Sequence, residues 1–458
     1  MNAEGASSVL HAIALLAAQT VAAPVPAAVR HAARRCLIDW FGVAIAGWHE
    51  PPALKLRQAL GSTGASARFD SAFDTAIPAD HAALVLGTAS HALDYDDTDY
   101  VNLIHVSSTL FPALLALAVH ERISGASLLD IVNAAYEAEN RVGAELGRKL
   151  TARGWHVSGV IGHLGSALAC GLALGLSPEA CARGMAISST AASGMIGAFG
   201  TMAKPLQLAR SGADGLTAAR LAREGFTGPL QALESNPGFT VPLLGEAIED
   251  WSSVARDWGR PYAILRNSFK PHASCMITHP TIDAAIALHD GLQRDGVSHD
   301  AIVRVTCRVN ALAPKVAGCA LPLTGLEGKF SVAWCTVAGL ILGHATPDAF
   351  VPAQIERSDL QALLRRVDVV IDPSVGEQQA HVELRLADGE QRMQAIAMAK
   401  GNPANPLTDD ELDRKFMLCA ERPLGAGAAT LLAQIHAFED VVDVGAWLRQ
   451  LRTLNAQA

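Results

Sequence analysis

The sequence predicts a mainly α-helical protein: a large all-helical domain that carries a smaller inserted α+β domain. Three observations predict it. From residue 6 to about 265 apolar residues recur at helical spacing almost without a break, near residue 300 the period drops to two, and after residue 401 helical spacing returns. A chain of 458 residues suits about three ordinary domains or two large ones. The expected division is an all-helical domain of residues 1–266 plus 401–458 and an α+β lid domain of residues 267–400. The hinge between two such bodies is a common place for a ligand cleft.

Each element has a local reason. Residues 24–47, PVPAAVRHAARRCLIDWFGVAIAG, enter on proline and stop at Gly47, with Val29, Ala32, Ala33, Cys36, Leu37 and Phe41 on one helical face. Segments 80–93, 108–122, 126–148, 158–175, 178–198 and 211–225 repeat that pattern. Ser177 and Pro178 supply an N-cap and a first helical residue. No fixed repeat period appears, which argues against a solenoid. Residues 301–312 and 367–372 alternate as strands, and residues 381–398 form a hairpin centred on Asp388-Gly389. Between them, 328–343 and 356–366 have helical spacing. Thr408 followed by Glu411 predicts a capping box that restarts the helical domain.

Composition excludes several classes of function. Half the residues are hydrophobic and 18% are charged, enough apolar material for a large core and far from the disordered range. A net charge of −9 gives no general footprint for nucleic acid. The eight cysteines are scattered, without CxxC, zinc-finger or iron–sulfur spacing, as expected of buried thiols in a reducing cytoplasm. Glu4 precedes any cation and the first is Arg30, so the N-terminus lacks the positive region of a signal peptide. Two stretches, 154–178 and 184–203, contain no Asp, Glu, Lys or Arg. Their Gly, Ser, Thr and His content suits buried helices of a large core better than membrane spans.

Four stretches carry polar groups with little structural reason to be polar. HALDYDDTDYVNLIHVSS, residues 91–108, crowds Asp94, Asp96, Asp97 and Asp99 between His91 and His105. It suits a solvated acidic loop, a divalent-metal loop or a functional site, but its spacing does not fit an EF-hand. GWHVSGVIGHLGS, residues 154–166, puts His156 at the start of a charge-free helix, where an imidazole tends to be neutral. A satisfied core histidine is the plain alternative. In GAFGTMAKPLQLAR, residues 197–210, Lys204 is the only Lys, Arg, Asp or Glu between Arg183 and Arg210; it either snorkels to water or meets an anion. NSFKPHASCMITHP, residues 267–280, places Lys270, His272, Cys275 and His279 at the expected domain junction, where a linker with chance polar content is the alternative.

Taken in order with TGLEGKFS (324–331) and KGNPANPLTDDEL (400–412), these blocks resemble the MmgE/PrpD family, which includes 2-methylcitrate dehydratase, cis-aconitate decarboxylase and iminodisuccinate epimerase. The resemblance covers nearly the whole chain. It implies an all-α domain with an α+β lid, usually a homodimer, and an active site in the cleft between them. Position by position, it implies Asp94, His105, His156 and Lys270 as catalytic residues and Thr98, Lys204 and Cys275 as substrate-binding ones, with no metal and no cofactor. Two positions depart from the pattern: Gln207 replaces a His common after the Lys-Pro pair, and Trp334 stands where many members have Tyr. An indole cannot replace a phenol as acceptor or acid.

The reactions this resemblance implies share one demand: a carbon beside a carboxylate must lose or gain a proton, and fixed cations and hydrogen-bond donors must hold the charge that develops. Lys204 and Lys270 suit substrate carboxylates, His105, His156 and the Thr98 hydroxyl can orient them, and a neutral imidazole or a lysine of lowered pKa can act as base. The expected function is a cofactor-independent lyase that eliminates water from a small hydroxy-polycarboxylate such as 2-methylcitrate. Epimerisation of an iminodisuccinate-like substrate, decarboxylation, and carboxylate binding without catalysis are the alternatives. The expected partner is a small di- or tricarboxylate, with neither nucleic acid nor membrane.

Overall fold

The computed structural model describes residues 8–61 and 68–454. Glu4, used above against a signal peptide, lies outside the described residues. The first half of the chain is a stack of helices: α1 (Val9–Ala22), α2 (Ala27–Gly47), α3 (Pro51–Leu60), α4 (Ala79–His91), α5 (Val106–Ala118), α6 (Gly125–Ala152), α7 (Val157–Ala173), α8 (Pro178–Ser189) and α9 (Ala203–Arg223). Helices α5 and α7 and the second half of α2, from Cys36 on, are buried almost all round, which is why their sequences are largely apolar on every face. Among the described residues no single helix is long and apolar enough to cross a membrane; α1 and α2 pass that test only together, and they bend by 104° where they meet.

Helix α9 packs against α4, α5, α7 and α8. Gly87 makes the α4 contact possible, because a Cβ there would stand 2.9 Å from the Ala209 backbone. This close approach carries the N-terminal end of α9 to the C-terminal end of α4.

Two helix bounds differ most from expectation. Helix α8 ends at Ser189 rather than near 198, and the chain then crosses an irregular stretch with Gly194 and Gly200 at positive φ. Helix α9 begins at Ala203 rather than 211, since Pro205 falls in the first turn, where its missing N–H costs nothing. Residues 224–278 are also largely irregular, with short helical turns only, although the spacing predicts helix to about 265. Prolines and glycines between Gly225 and Gly245 break the pattern.

The later part of the chain builds a second core around a sheet. After α10 (His279–Arg294) come β1 (Ile302–Val309), α11 (Val332–Leu342), α12 (Ser358–Leu364), β2 (Val367–Ile371), β3 (Ala380–Leu386) and β4 (Gln391–Ile396). The strand order is β2-β1-β3-β4. β1 and β2 are parallel, with Val305 opposite Val367; the other pairs are antiparallel, with Thr306 opposite Glu383 and Val382 opposite Gln394. Gly389, at φ 93°, turns the β3–β4 hairpin where Asp388-Gly389 predicted it. Helix α10 covers β3 and β4, while the outer faces of β2 and β4 stay open to solvent.

Helix α13 (Asp409–Leu424) starts at the expected Thr408–Glu411 capping box and packs against α2. Leu412 and Phe416 join the core of the helical half, as do Leu431 of α14 (Gly427–His436) and Leu448 of α15 (Val444–Leu454). The mainly α class and the four-stranded sheet are therefore as the sequence predicts.

Candidate active site

Three helix N-termini point into one cavity. His105 is the N-cap of α5, His156 is the N-cap of α7, and Lys204 lies in the first turn of α9. The positive end of each helix favours negative charge and disfavours an imidazolium. The seven residues implied above, Asp94, Thr98, His105, His156, Lys204, Lys270 and Cys275, all line this cavity, which encloses about 670 Å³ of empty space including its mouth. Phe199, Phe330, Tyr100 and Trp155 supply aromatic wall.

Asp94 is the hub. It follows α4 with φ 49°, a left-handed conformation that Asp tolerates better than most residues. Its Oδ1 is 2.6 Å from Lys204 Nζ and 3.3 Å from Lys270 Nζ, and its main-chain oxygen accepts from Lys270 at 2.9 Å. Burial by itself would raise the Asp94 pKa, but Lys204 and Lys270 together hold it well below the usual carboxylate range. One ionised carboxylate thus serves two buried ammonium groups, leaving a positive charge at the wall. The ammonium of Lys204 also lies 5.2 and 5.3 Å from the ring centres of Phe199 and Phe330, a cation–π arrangement.

Behind this wall Asp96 organises the imidazoles. Both of its oxygens are 2.9 Å from His91 Nδ1, and Oδ2 accepts from the Ser108 hydroxyl at 2.8 Å. His105 Nδ1 is 3.1 Å from the same Oδ2, close enough for an ion pair but off the line of a good hydrogen bond. His91 Nε2 faces the Lys204 ammonium at 2.5 Å. Burial drives His91 down to about 4 against the pull of Asp96, and burial likewise lowers His105. Burial, then Lys204, puts His156 well below the ordinary imidazole value. At neutral pH all three rings are neutral and able to act as acceptors or donors.

The acidic run is neither a solvated loop nor one functional cluster. Asp94, Asp96, Asp97 and Asp99 are all buried and face different partners. Asp97 accepts from Ser107 at 2.7 Å and from Asn267, and its backbone N–H donates to Asp39, which pairs with Lys415 at 2.6 Å. Asp99 pairs with Arg266 at 2.9 Å. Ligand-type atoms of His91, Asp96 and His105 do lie within 4.8 Å of one another. His91 and Asp96 already bond each other there, and the Lys204 ammonium abuts the group.

Thr98 and Cys275 refine the expectation. The Thr98 hydroxyl donates to Ile104 O at 3.1 Å, so it offers the cavity lone pairs and cannot orient a carboxylate as a donor. It can accept from a substrate hydroxyl. Burial, then the charge of Asp94, pushes the Cys275 thiol up to about 11, which makes it a neutral wall group at physiological pH. Trp334 is fully buried in the sheet-side core and does not line the cavity. His91, Asp96, Phe199 and Phe330 are the site groups absent from the expected set. The crowding of His91 against the aspartate run was the available signal for the first two, and nothing local marks the phenylalanines.

Fold and site together define a mainly helical protein with one cation-lined, imidazole-bearing pocket. The chain belongs to the MmgE/PrpD family: residues 11–250 match the MmgE/PrpD N-terminal domain and residues 272–439 the MmgE/PrpD C-terminal domain. Cis-aconitate decarboxylase of Mus musculus is 26% identical over 441 residues, covering 93% of this chain and 89% of that one. The Homo sapiens cis-aconitate decarboxylase is 28% identical over 387 residues, 81% and 79% of the two chains. The cis-aconitate decarboxylase-like protein oryM of Aspergillus oryzae is 26% identical over 420 residues, 86% of each.

Proposed function

We propose that this protein is a lyase that binds a small di- or tricarboxylate and moves a proton at the carbon next to a carboxylate. The observation that carries the reading is the pair of buried ammonium groups on one carboxylate, facing neutral His105 and His156 across the same cavity. Lys204 and Lys270 hold substrate carboxylates and the enolate-like charge, and the three helix N-termini add to that field. An imidazole serves as base, a step worth roughly 10²–10⁴-fold.

Two leaving groups fit this frame. Elimination of water from a hydroxy-tricarboxylate of the 2-methylcitrate kind is supported by the acceptor face of Thr98, which suits a substrate hydroxyl. Loss of CO₂ is supported by the names of the relatives that match most of the chain. Residues 267–400 form the lid in this reading, since Lys270, Cys275, Leu312, Val316 and Phe330 supply one side of the cavity. A cytoplasmic homodimer completes it.

The test is a panel of hydroxy- and unsaturated di- and tricarboxylates followed by NMR in D₂O. Dehydration yields a new alkene, decarboxylation a product one carbon shorter, and epimerisation deuterium at Cα without change of skeleton. Turnover of one substrate that is lost in Lys270→Ala is expected. Inertness toward the whole panel, with carboxylates still bound in calorimetry, would sink the catalytic reading.

A further inference from the structure

We propose that Gln207 is a positioning residue that sets the tautomer of His156, so that His156 meets the substrate as an Nε2–H donor while His105 presents a bare Nε2. Which substrate atoms these nitrogens meet rests on the lyase reading above; the tautomers themselves do not.

Gln207 stands three residues after Lys204 on α9, so one helical turn delivers the ammonium and the amide to the same side. Its Oε1 accepts from the Met195 N–H at 2.8 Å, and its Nε2 donates to the Met195 carbonyl at 3.0 Å. This pair of hydrogen bonds to one backbone residue leaves a single orientation for the amide, because a flipped amide would set donor against donor and acceptor against acceptor. Met195 is itself fixed: it bridges to Trp155, and the neighbouring Gly194 O accepts from the His156 N–H at 3.1 Å. Gly159 allows this strand-like stretch to lie on α7, since a Cβ there would fall 2.6 Å from Ser193 O.

The second hydrogen of the Gln207 amide points at His156 Nδ1, 3.2 Å away. A ring nitrogen that accepts carries no proton, so a neutral His156 holds its proton on Nε2. Nε2 has no hydrogen-bond partner among the described residues, and the ring lines the cavity, stacked on His91 at 6.0 Å and edge-on to Phe199 at 5.2 Å. His105 is the reverse case. Its Nδ1 lies 3.1 Å from Asp96 Oδ2, off the line of a good hydrogen bond, but the negative charge there favours a proton on Nδ1 and so a lone pair on Nε2. His91 follows the same rule, and its free Nε2 lone pair receives Lys204.

Two imidazoles that look equivalent in the sequence therefore have opposite polarity. His105 is placed to take the proton from carbon. His156 is placed to donate to a carboxylate or enolate oxygen, or to a departing hydroxyl.

Long-range ¹H–¹⁵N correlation NMR on protein labelled at histidine reads this directly, with the His156 signals assigned by their loss in His156→Asn. The expected result is a proton on Nε2 of His156 and an unprotonated Nδ1. In Gln207→Glu the carboxylate replaces the donor, the proton moves to Nδ1, and kcat falls about 10²- to 10³-fold with KM little changed, as for loss of one oxyanion donor. Gln207→Met, which keeps the length but not the donor, mixes the two tautomers and lowers kcat less. A proton on Nδ1 in the unsubstituted protein, or tautomers that ignore both substitutions, would overturn the proposal. A protein with the expected tautomer that turns over no polycarboxylate would instead count against the lyase reading.

Discussion

Lys204 and Asp94 meet at 2.6 Å across 110 residues of sequence, with side chains only 5% and 4% exposed. Lys270 approaches the same Oδ1 to 3.3 Å. Removing the carboxylate strands two buried cations. Asp94→Asn should therefore cost about 3–5 kcal/mol of stability, as for one partner lost from a buried pair. Urea unfolding measures it, and a variant as stable as the parent would mean that water reaches both lysines.

The neutral histidines give stability a particular pH dependence. His91 falls from an unfolded value near 6.5 to about 4. Between those values the unfolded chain binds a proton that the folded protein refuses, so stability rises with pH across the window and drops as pH falls through it. The contribution is on the order of 3 kcal/mol. Unfolding midpoints between about pH 4 and pH 7 should show this slope, and His91→Gln should flatten it.

Activity follows the same sign. His105 is lowered by burial, against the pull of Asp96, so it stays an unprotonated base below the usual imidazole range. The acid limb of kcat/KM is expected below 6.5, the ordinary histidine value. A limb at or above that value would show that another group takes the proton.

Cys275 is expected to be slow toward alkylating reagents. With its thiol pushed up to about 11, its thiolate fraction at neutral pH is roughly 100-fold below that of an ordinary cysteine. Timed iodoacetamide labelling with mass spectrometry checks this, and Cys275→Ala should still turn over substrate. Rapid, inactivating modification would instead make Cys275 part of the chemistry.

Trp334 should matter for stability and not for turnover. The fully buried indole packs in the sheet-side core, so Trp334→Ala should cost about 3–5 kcal/mol. Trp334→Tyr should leave kcat of the folded protein nearly unchanged, because position 334 does not reach the cavity. A large gain in rate on restoring the phenol would overturn that.

Much of the fold is legible because its signals are local. Ser177 caps α8, Thr408 and Glu411 cap α13, and Asp388-Gly389 turns the hairpin, each through contacts within a few residues. The helical spacing failed from residue 224 to about 265, where closely spaced prolines and glycines override an apolar composition. The candidate residues were legible through their wording, but the division of labour among them was not. Four neighbouring aspartates went to four different partners, and Thr98 spent its only hydroxyl proton on Ile104.

The sequence by itself determined the helical class, the position of the sheet, the capping signals and which polar side chains come to line the cavity. Only the tertiary structure decided that α5, α7 and α9 aim their N-termini into one cavity, and that Asp96 and Gln207 give His105 and His156 opposite hydrogen-bonding polarity. The reason is physical. Helix spacing and caps are set within a turn of chain, whereas the charge of a buried lysine and the tautomer of a histidine are set by whatever atom arrives within 3–4 Å, here from as far as 176 residues away.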